Sequence, residues 1–274
     1  MRIKKILNNN AVIVTDGHQE KVAIGSGIGF QKKKNDIVNP NQIEKIFVMH
    51  ENEKFQQLLS RIPEEHFTIS EEIISYAERQ LGVKLNEHIH LVLTDHLSFA
   101  IERVKNGIHI KNKLFQEIKI LYRREFEIGL WAVRHMKEKY GIEMPEDEAA
   151  FLALYIHTMK PQGGDLHETI RQTAILQDMV QTVKDFLCIP LEGDDISYHR
   201  LVTHLRFVLF RIKGYEVHTL DEEMLAMIKK KFPLSYQCAR EVARKVSEVY
   251  GIHLPDQELG YITLHIERLR TAQP

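Results

Sequence analysis

Tyr140–His157 reads YGIEMPEDEAAFLALYIH, and Tyr250–Glu267 reads YGIHLPDQELGYITLHIE. At an offset of 110 and without gaps, Tyr, Gly, Ile, Pro, Glu, Leu and Ile recur in place. A second pair precedes each copy: TDHLSFAIER at Thr94–Arg103 and VTHLRFVLFR at Val202–Arg211. There His96 answers to His204, Phe99 to Phe207 and Arg103 to Arg211. Two anchors repeated in the same order indicate a duplicated domain, and the period is too long for a solenoid repeat. Each copy is therefore a fold of its own.

Periodicity makes both copies helical. Ile73, Ile74, Ala77 and Leu81 recur at helix spacing and Gly82 closes the run; Leu97, Ala100, Ile101 and Val104 repeat the pattern up to Gly107. Pro145 followed by Glu146, Asp147 and Glu148 marks a helix start, with Pro in the first turn and carboxylates at the positive end of the dipole. Residues 169–274 repeat the scheme, with breaks at 190–195, Gly214, Pro233 and 251–255.

The first 50 residues differ. Ala11–Thr15 is short and rich in β-branched side chains, Asp16–Gly17 is a hairpin turn, and Lys21–Ile24 returns as a strand. Gly25, Gly27 and Gly29 alternate with Ser26 and Ile28 before Phe30, and Ile43–Met49 supplies a last strand. The expected fold is mainly α: a small N-terminal four-stranded antiparallel β domain (1–56), a linker (57–66) interrupted by Pro63, and two homologous all-α helical-bundle domains (67–168 and 169–274). A sheet this small buries little apolar surface, so self-association through its exposed face is expected.

Composition excludes some classes and leaves others. The 274 residues carry a net charge of -1 and 43% hydrophobic residues, ordinary for a soluble protein. Residues 1–34 hold seven Lys or Arg against two acids, a face suited to anions or simply to water. Cys188 and Cys238 are the only cysteines and lack metal-ligand spacing, which indicates a reducing compartment. No apolar run reaches a membrane span and no signal-peptide core opens the chain, so a cytoplasmic protein without membrane insertion is expected. His88 and His90 have no clustered third ligand, and no nucleotide or nucleophile-elbow motif is present, so no metal, no cofactor and no enzyme activity are expected. Glu71–Glu72 and Asp194–Asp195 read as solvated helix starts or loops.

KILNNN at Lys5–Asn10, VAIGSGIGFQKK at Val22–Lys33 and VTHLRF at Val202–Phe207, with the spacing on to His265, resemble the BglG/SacY family of transcriptional antiterminators across essentially the whole chain. The resemblance implies a co-antiterminator RNA-binding domain followed by two regulatory domains phosphorylated on histidine by the sugar phosphotransferase system. It implies a homodimer that binds a leader-mRNA hairpin overlapping a terminator. Phosphorylation of the first regulatory domain by a sugar-specific transporter would inactivate it, and phosphorylation of the second by the phosphocarrier HPr would activate it. The alternative is a DNA-binding activator with the same regulatory repeats, which needs a helix-turn-helix that the β-rich N-terminus does not offer.

The RNA-binding candidates are Asn8, Asn10, Gly25, Ser26, Gly27, Phe30, Gln31 and Lys32. Asn amides both donate and accept toward base edges, glycines permit close backbone approach, and Phe30 can stack on an unpaired base. Each residue alone also suits a turn or, for Phe30, a core. Relatives often carry a basic residue where Ser26 stands, so phosphate attraction here is weaker or moved to 32–34.

The phosphorylation candidates are His96, His204 and His265, which recur in the repeat and match the family's sites. A phosphoryl group adds close to two negative charges, and at a helix packing surface that charge must find cations or force rearrangement. The repeat aligns His265 with Tyr155, and His157 with Glu267, so the first domain keeps only His96 of its pair and His157 faces elsewhere, as a surface histidine or a displaced acceptor. Asp95 either orients His96 or caps a helix.

Overall fold

In the computed structural model the chain is mainly helical, with an antiparallel sheet at its N-terminus. It describes residues 1–16, 19–43, 45–48, 62–189, 196–214 and 220–271. The turn at Gly17, the connection from 49 to 61 and the carboxylates of 194–195 lie outside these.

The strands are β1 (Arg2–Asn8), β2 (Ala11–Asp16), β3 (Gln19–Ile24) and β4 (Lys45–Val48), paired in that order and all antiparallel. Ala11, Val12, Ile13 and Val14 are each at most 1% exposed. A strand covered on one side alternates apolar with polar; a run of four apolar residues requires cover on both. One face joins Val12, Val14 and Ala23 to Ile3, Ile28 and Val38 from the sheet's own strands and loops. The opposite face joins Ala11, Ile13, Val22 and Ile24 to Phe67, with Leu91 packed alongside. The expected exposed face is thus covered from within the chain. Burying a Phe of this kind contributes about 1.5–3 kcal/mol.

Phe67 lies on α1 (Glu64–Leu81), which follows Pro63 and begins inside the segment read as linker. It ends on Gly82, whose φ of +71° lets the backbone N–H reach back to Glu78. Next come α2 (Ile89–Lys105), α3 (Phe115–Leu121), α4 (Arg123–Tyr140) and α5 (Asp147–Thr158). Then follow α6 (Leu166–Leu187), α7 (Ile196–Gly214), α8 (Glu222–Lys231), α9 (Pro233–Tyr250) and α10 (Asp256–Thr271). Asp165 and Asp221 cap α6 and α8 by accepting the N–H of Glu168 and Met224.

The chain divides into two compact units, Met1–Lys111 with Arg124–Gly164, and Asn112–Arg123 with Asp165–Pro274. The first holds the sheet and the core of α1, α2, α4 and α5, around Ile73, Leu93, Leu97, Ala132 and Leu152. Gly129 on α4 is required there: a Cβ would stand 2.3 Å from the Ala149 carbonyl oxygen of α5. The second unit is built on α6, α7, α9 and α10, around Met179, Val202, Leu205, Val242 and Ile266. It also takes α3, which the sequence reading assigns to the first regulatory domain. There Tyr198 on α7 donates to Glu117 at 2.5 Å in a buried bond. That bond places α3 by tertiary packing, which no local pattern announces.

Candidate functional site

At the N-terminus, the loop after β3 is pinned to the end of β1. Gly25 N–H donates to the Asn10 carbonyl at 3.0 Å, Gly27 N–H to Asn10 Oδ1 at 2.7 Å, and Gly29 N–H to the Asn9 carbonyl at 2.8 Å. Gly27 has φ +67°, where a side chain would be strained. Ile28 is wholly buried and anchors the loop, while Ser26 and Gln31 stand exposed and Lys32 half-buried on either side. Phe30 is 57% exposed, so it does not belong to the core. Asn8, Asn10, Gly25, Ser26, Gly27, Phe30, Gln31 and Lys32 thus fall on one strand end and one loop joined by hydrogen bonds; Asn8 is paired through its backbone with Ala11.

Asn10 is also held from the helical side: its amide donates to Thr68 Oγ1 of α1 at 3.3 Å. A groove of about 800 Å³ runs between Asn10, Gly25 and Ser26 and the helix residues Glu72, Trp131 and His135. The acid pair Glu71–Glu72, read as solvated, is engaged in mid-helix. Glu71 bonds His90 at 2.5 Å, and Glu72 takes His135, Lys139 and Tyr140.

The first histidine site lies on α2 and α5. His96 Nε2 is 3.1 Å from Glu148 Oε2, and Arg103 pairs with the other oxygen of the same buried carboxylate. Tyr155, which holds the place of the second histidine, lies 4.9 Å from the His96 ring centre to centre. Burial, then Asp95, then Glu148 raise the Tyr155 hydroxyl above its usual range. Asp95 sits in the middle of α2, so it caps nothing, and the carboxylate that bonds His96 is Glu148, 52 residues away. The recurrence of Glu148 as Glu258, beside Arg103 and Arg211, was the signal that could have found it.

The second site is arranged differently. His204 on α7 and His265 on α10 stack with centres 3.6 Å apart and planes 20° from parallel. Tyr261 OH meets His204 Nδ1 at 3.3 Å, and the Arg211 guanidinium lies 4.9 Å over the Tyr261 ring. Arg211 binds Glu258 by two bonds, 2.9 and 2.6 Å. Burial first, then His204, Arg268 and Arg211, push His265 down to about 4. Burial, with Arg268, Arg200 and Arg211, lowers His204 in the same direction. Both rings are therefore neutral near pH 7, with lone pairs for a nucleophile and arginines nearby for an incoming anion.

His157 belongs to a different network. It is half-buried, not on the open surface, and bonds Glu125 at 3.2 Å; Lys160 reaches the same oxygen at 2.5 Å. Burial alone would raise the Glu125 carboxyl, but the bonds from His157 and Lys160 hold it down to about 2. In the second unit the aligned residues are Ser235, Glu267 and Arg270: Ser235 donates to Glu267 at 2.6 Å and Arg270 pairs with it at 2.7 Å. The carboxylate has crossed from one helix to the other, and His157 occupies the vacated place.

Among the described residues, no group of three or more His, Cys, Asp or Glu side chains is placed to hold a metal, and no helix is long and apolar enough to cross a membrane.

Comparison with known proteins bears on both regions. The CAT RNA binding domain matches residues 1–56, and the PRD domain matches residues 71–159 and 177–269. The chain is 40% identical over 274 residues to transcription antiterminator LicT of Bacillus subtilis (strain 168), covering 98% of this chain and 99% of that protein. It is 39% identical to the beta-glucoside operon antiterminator of Dickeya chrysanthemi, covering 99% and 97%. The crystal structure of GlcT CAT-PRDI matches with a TM-score of 0.54 at 36% identity, covering 59% of this chain and 98% of that one. A repeated helical domain with recurring histidines, behind a sheet whose Asn and Gly residues lock into one loop, thus makes this chain a member of the BglG/SacY family of transcription antiterminators.

Proposed function

We propose that this chain binds a leader-mRNA hairpin overlapping a terminator, lets transcription continue, and is switched by histidine phosphorylation from the sugar phosphotransferase system. The observation that carries this is the loop geometry: hydrogen bonds hold Asn10, Gly25 and Gly27 together while Phe30 stays 57% exposed beside Gln31 and Lys32. An exposed Phe on a rigid loop is a stacking platform for an unpaired base. A DNA-binding activator is disfavoured, because a strand-rich N-terminus presents no recognition helix to a major groove.

The RNA-contact set is Asn8, Asn10, Gly25, Ser26, Gly27, Phe30, Gln31 and Lys32. His96 is the acceptor in the first regulatory domain, from a sugar-specific transporter, and inhibits. His204 and His265 are the acceptors in the second, from HPr, and activate. His157 is left out of the acceptor set; its alignment with Glu267, rather than with His265, supports that reading. A homodimer is the RNA-bound form, in the cytoplasm, with no cofactor and no catalytic activity of its own. The domains are an N-terminal sheet domain, a linker that ends where α1 begins at Glu64, and two homologous bundles, the second of which also takes α3.

Gel shifts against candidate leader hairpins, with and without the phosphotransferase proteins, test the reading. Phe30→Ala should cost about 1–3 kcal/mol of RNA affinity with the strand signal intact. Equal binding by Phe30→Ala, or indifference to hairpin RNA, rejects it.

A further inference from the structure

The first histidine site contains enough geometry to say which ring nitrogen reacts. His96 Nε2 lies 3.1 Å from Glu148 Oε2. Glu148 is wholly buried, and the Arg103 guanidinium holds its other oxygen. A carboxylate paired with a guanidinium is ionised and can only accept hydrogen bonds. The hydrogen between His96 and Glu148 therefore sits on Nε2, and the neutral ring carries its lone pair on Nδ1. Among the described residues Nδ1 has no hydrogen-bond partner, and the side chain keeps 14% of its surface open. From this geometry we infer that His96 is phosphorylated on Nδ1, and that Glu148 is the positioning residue that selects that nitrogen. The inference rests on the reading of His96 as a phosphoryl acceptor and makes it atom-specific.

The chemistry balances without any further reactant. The Nδ1 lone pair attacks the donor's phosphorus, the Nδ1–P bond forms, and the bond from phosphorus to the donor's carrier atom breaks with its electron pair leaving on that atom. The ring becomes cationic while its proton stays on Nε2, facing Glu148. A buried carboxylate there stabilises the cation as it forms, as a carboxylate does behind the histidine of a hydrolytic triad. The second unit is wired differently. Arg211 takes both oxygens of Glu258, and His204 Nδ1 faces the Tyr261 hydroxyl, which both donates and accepts. The assignment therefore concerns His96 alone.

The test uses the full chain and potassium phosphoramidate, a protein-free donor whose nitrogen leaves as ammonia. Alkaline hydrolysis followed by chromatography separates the Nδ1 and Nε2 isomers of phosphohistidine, and the His96 signal is the part lost in His96→Ala. The folded chain should give the Nδ1 isomer at His96, whereas the chain in urea should give mainly the sterically freer Nε2 isomer. Glu148→Gln, which keeps an acceptor oxygen without the charge, should retain the Nδ1 isomer at a rate roughly three- to tenfold lower. Glu148→Ala should shift label toward Nε2. If that variant fails to fold by circular dichroism, Glu148→Gln and the urea control still decide. Nε2 label on folded wild type, no label on His96, or an unchanged isomer ratio in folded Glu148→Ala each overturns the inference. Failure of the functional reading looks different: phosphoramidate gives the Nδ1 isomer, but the phosphotransferase proteins leave His96 unlabelled.

Discussion

The two helical repeats contain the same Arg–Glu pair and use it for opposite ends. In the first, Glu148 divides itself between Arg103 and His96, and Arg103 Nε is buried without a partner among the described residues. In the second, Arg211 takes both oxygens of Glu258, and His204 turns to stack on His265. Two aromatic positions separate the two arrangements: Tyr155 stands where the other copy has His265, and Phe151 where it has Tyr261, whose hydroxyl meets His204. With a second imidazole the histidines face each other; with a tyrosine the lone histidine is tied to the carboxylate. Duplication preserved the Arg–Glu frame while the aromatic and imidazole rings around it diverged.

The largest effect expected from breaking this comparison is on stability. Glu258→Ala leaves the half-buried Arg211 without its carboxylate partner, which should cost about 1–3 kcal/mol. Glu148→Ala should cost less, because Arg103 is held at one point rather than two. Denaturant titration of each variant measures the difference, and equal losses would mean that the second bond adds nothing.

Next comes signalling. With only His96 available in the first unit, His96→Ala should make a terminator-controlled reporter active without inducer. The change should be on the order of 5–150-fold, the usual span of allosteric coupling. His157→Ala should leave induction intact. Transporter-dependent label on His157, found by mass spectrometry under conditions that spare phosphohistidine, together with constitutive activity of His157→Ala, would reverse the assignment.

A smaller effect concerns pH. His265 has a folded pKa of about 4, below its ordinary 6.5. Below pH 6.5 the unfolded chain binds the extra proton, so stability present above that pH is lost as pH falls toward 4. His204 shifts in the same direction. The loss from His265 should be on the order of 1–2 kcal/mol after solvent screening. Comparing Tm at pH 7 and pH 5 in wild type and His265→Gln measures it, and an unchanged pH slope in the variant would refute it.

The smallest test converts one unit into the other. Glu125→Ser with His157→Glu rebuilds the Ser235–Glu267–Arg270 arrangement in the first unit, with Lys160 as the cation. Each single change should destabilise, and the pair should recover about 0.5–1 kcal/mol in a double-mutant cycle. Strict additivity would show that the transposed carboxylate is coincidence.

Much of this was legible in the chain. Matching Pro145 with Pro255, and Gly141 with Gly251, set corresponding helix boundaries in both copies. The continuous run Ala11–Val14 marked a strand, and Asn8–Asn10 with the glycines marked the loop. Local patterns carry such features because propensity and turn chemistry act over a few residues. What escaped was tertiary. Asp95 was legible only as orienting His96 or capping a helix, and the carboxylate that bonds His96 is Glu148, brought in from α5. The assignment of α3 to the second unit depends on Tyr198, far along the chain.

Phe67 closes the sheet by filling a face between Ala11, Ile13, Val22 and Ile24. Because it is tethered to that face by its own chain, its effective concentration is on the order of millimolar. A second copy present at micromolar concentration competes for the same surface at a disadvantage of roughly a thousandfold. Any assembly through that face is therefore governed less by how much protein the cell holds than by whether α1 keeps Phe67 in place.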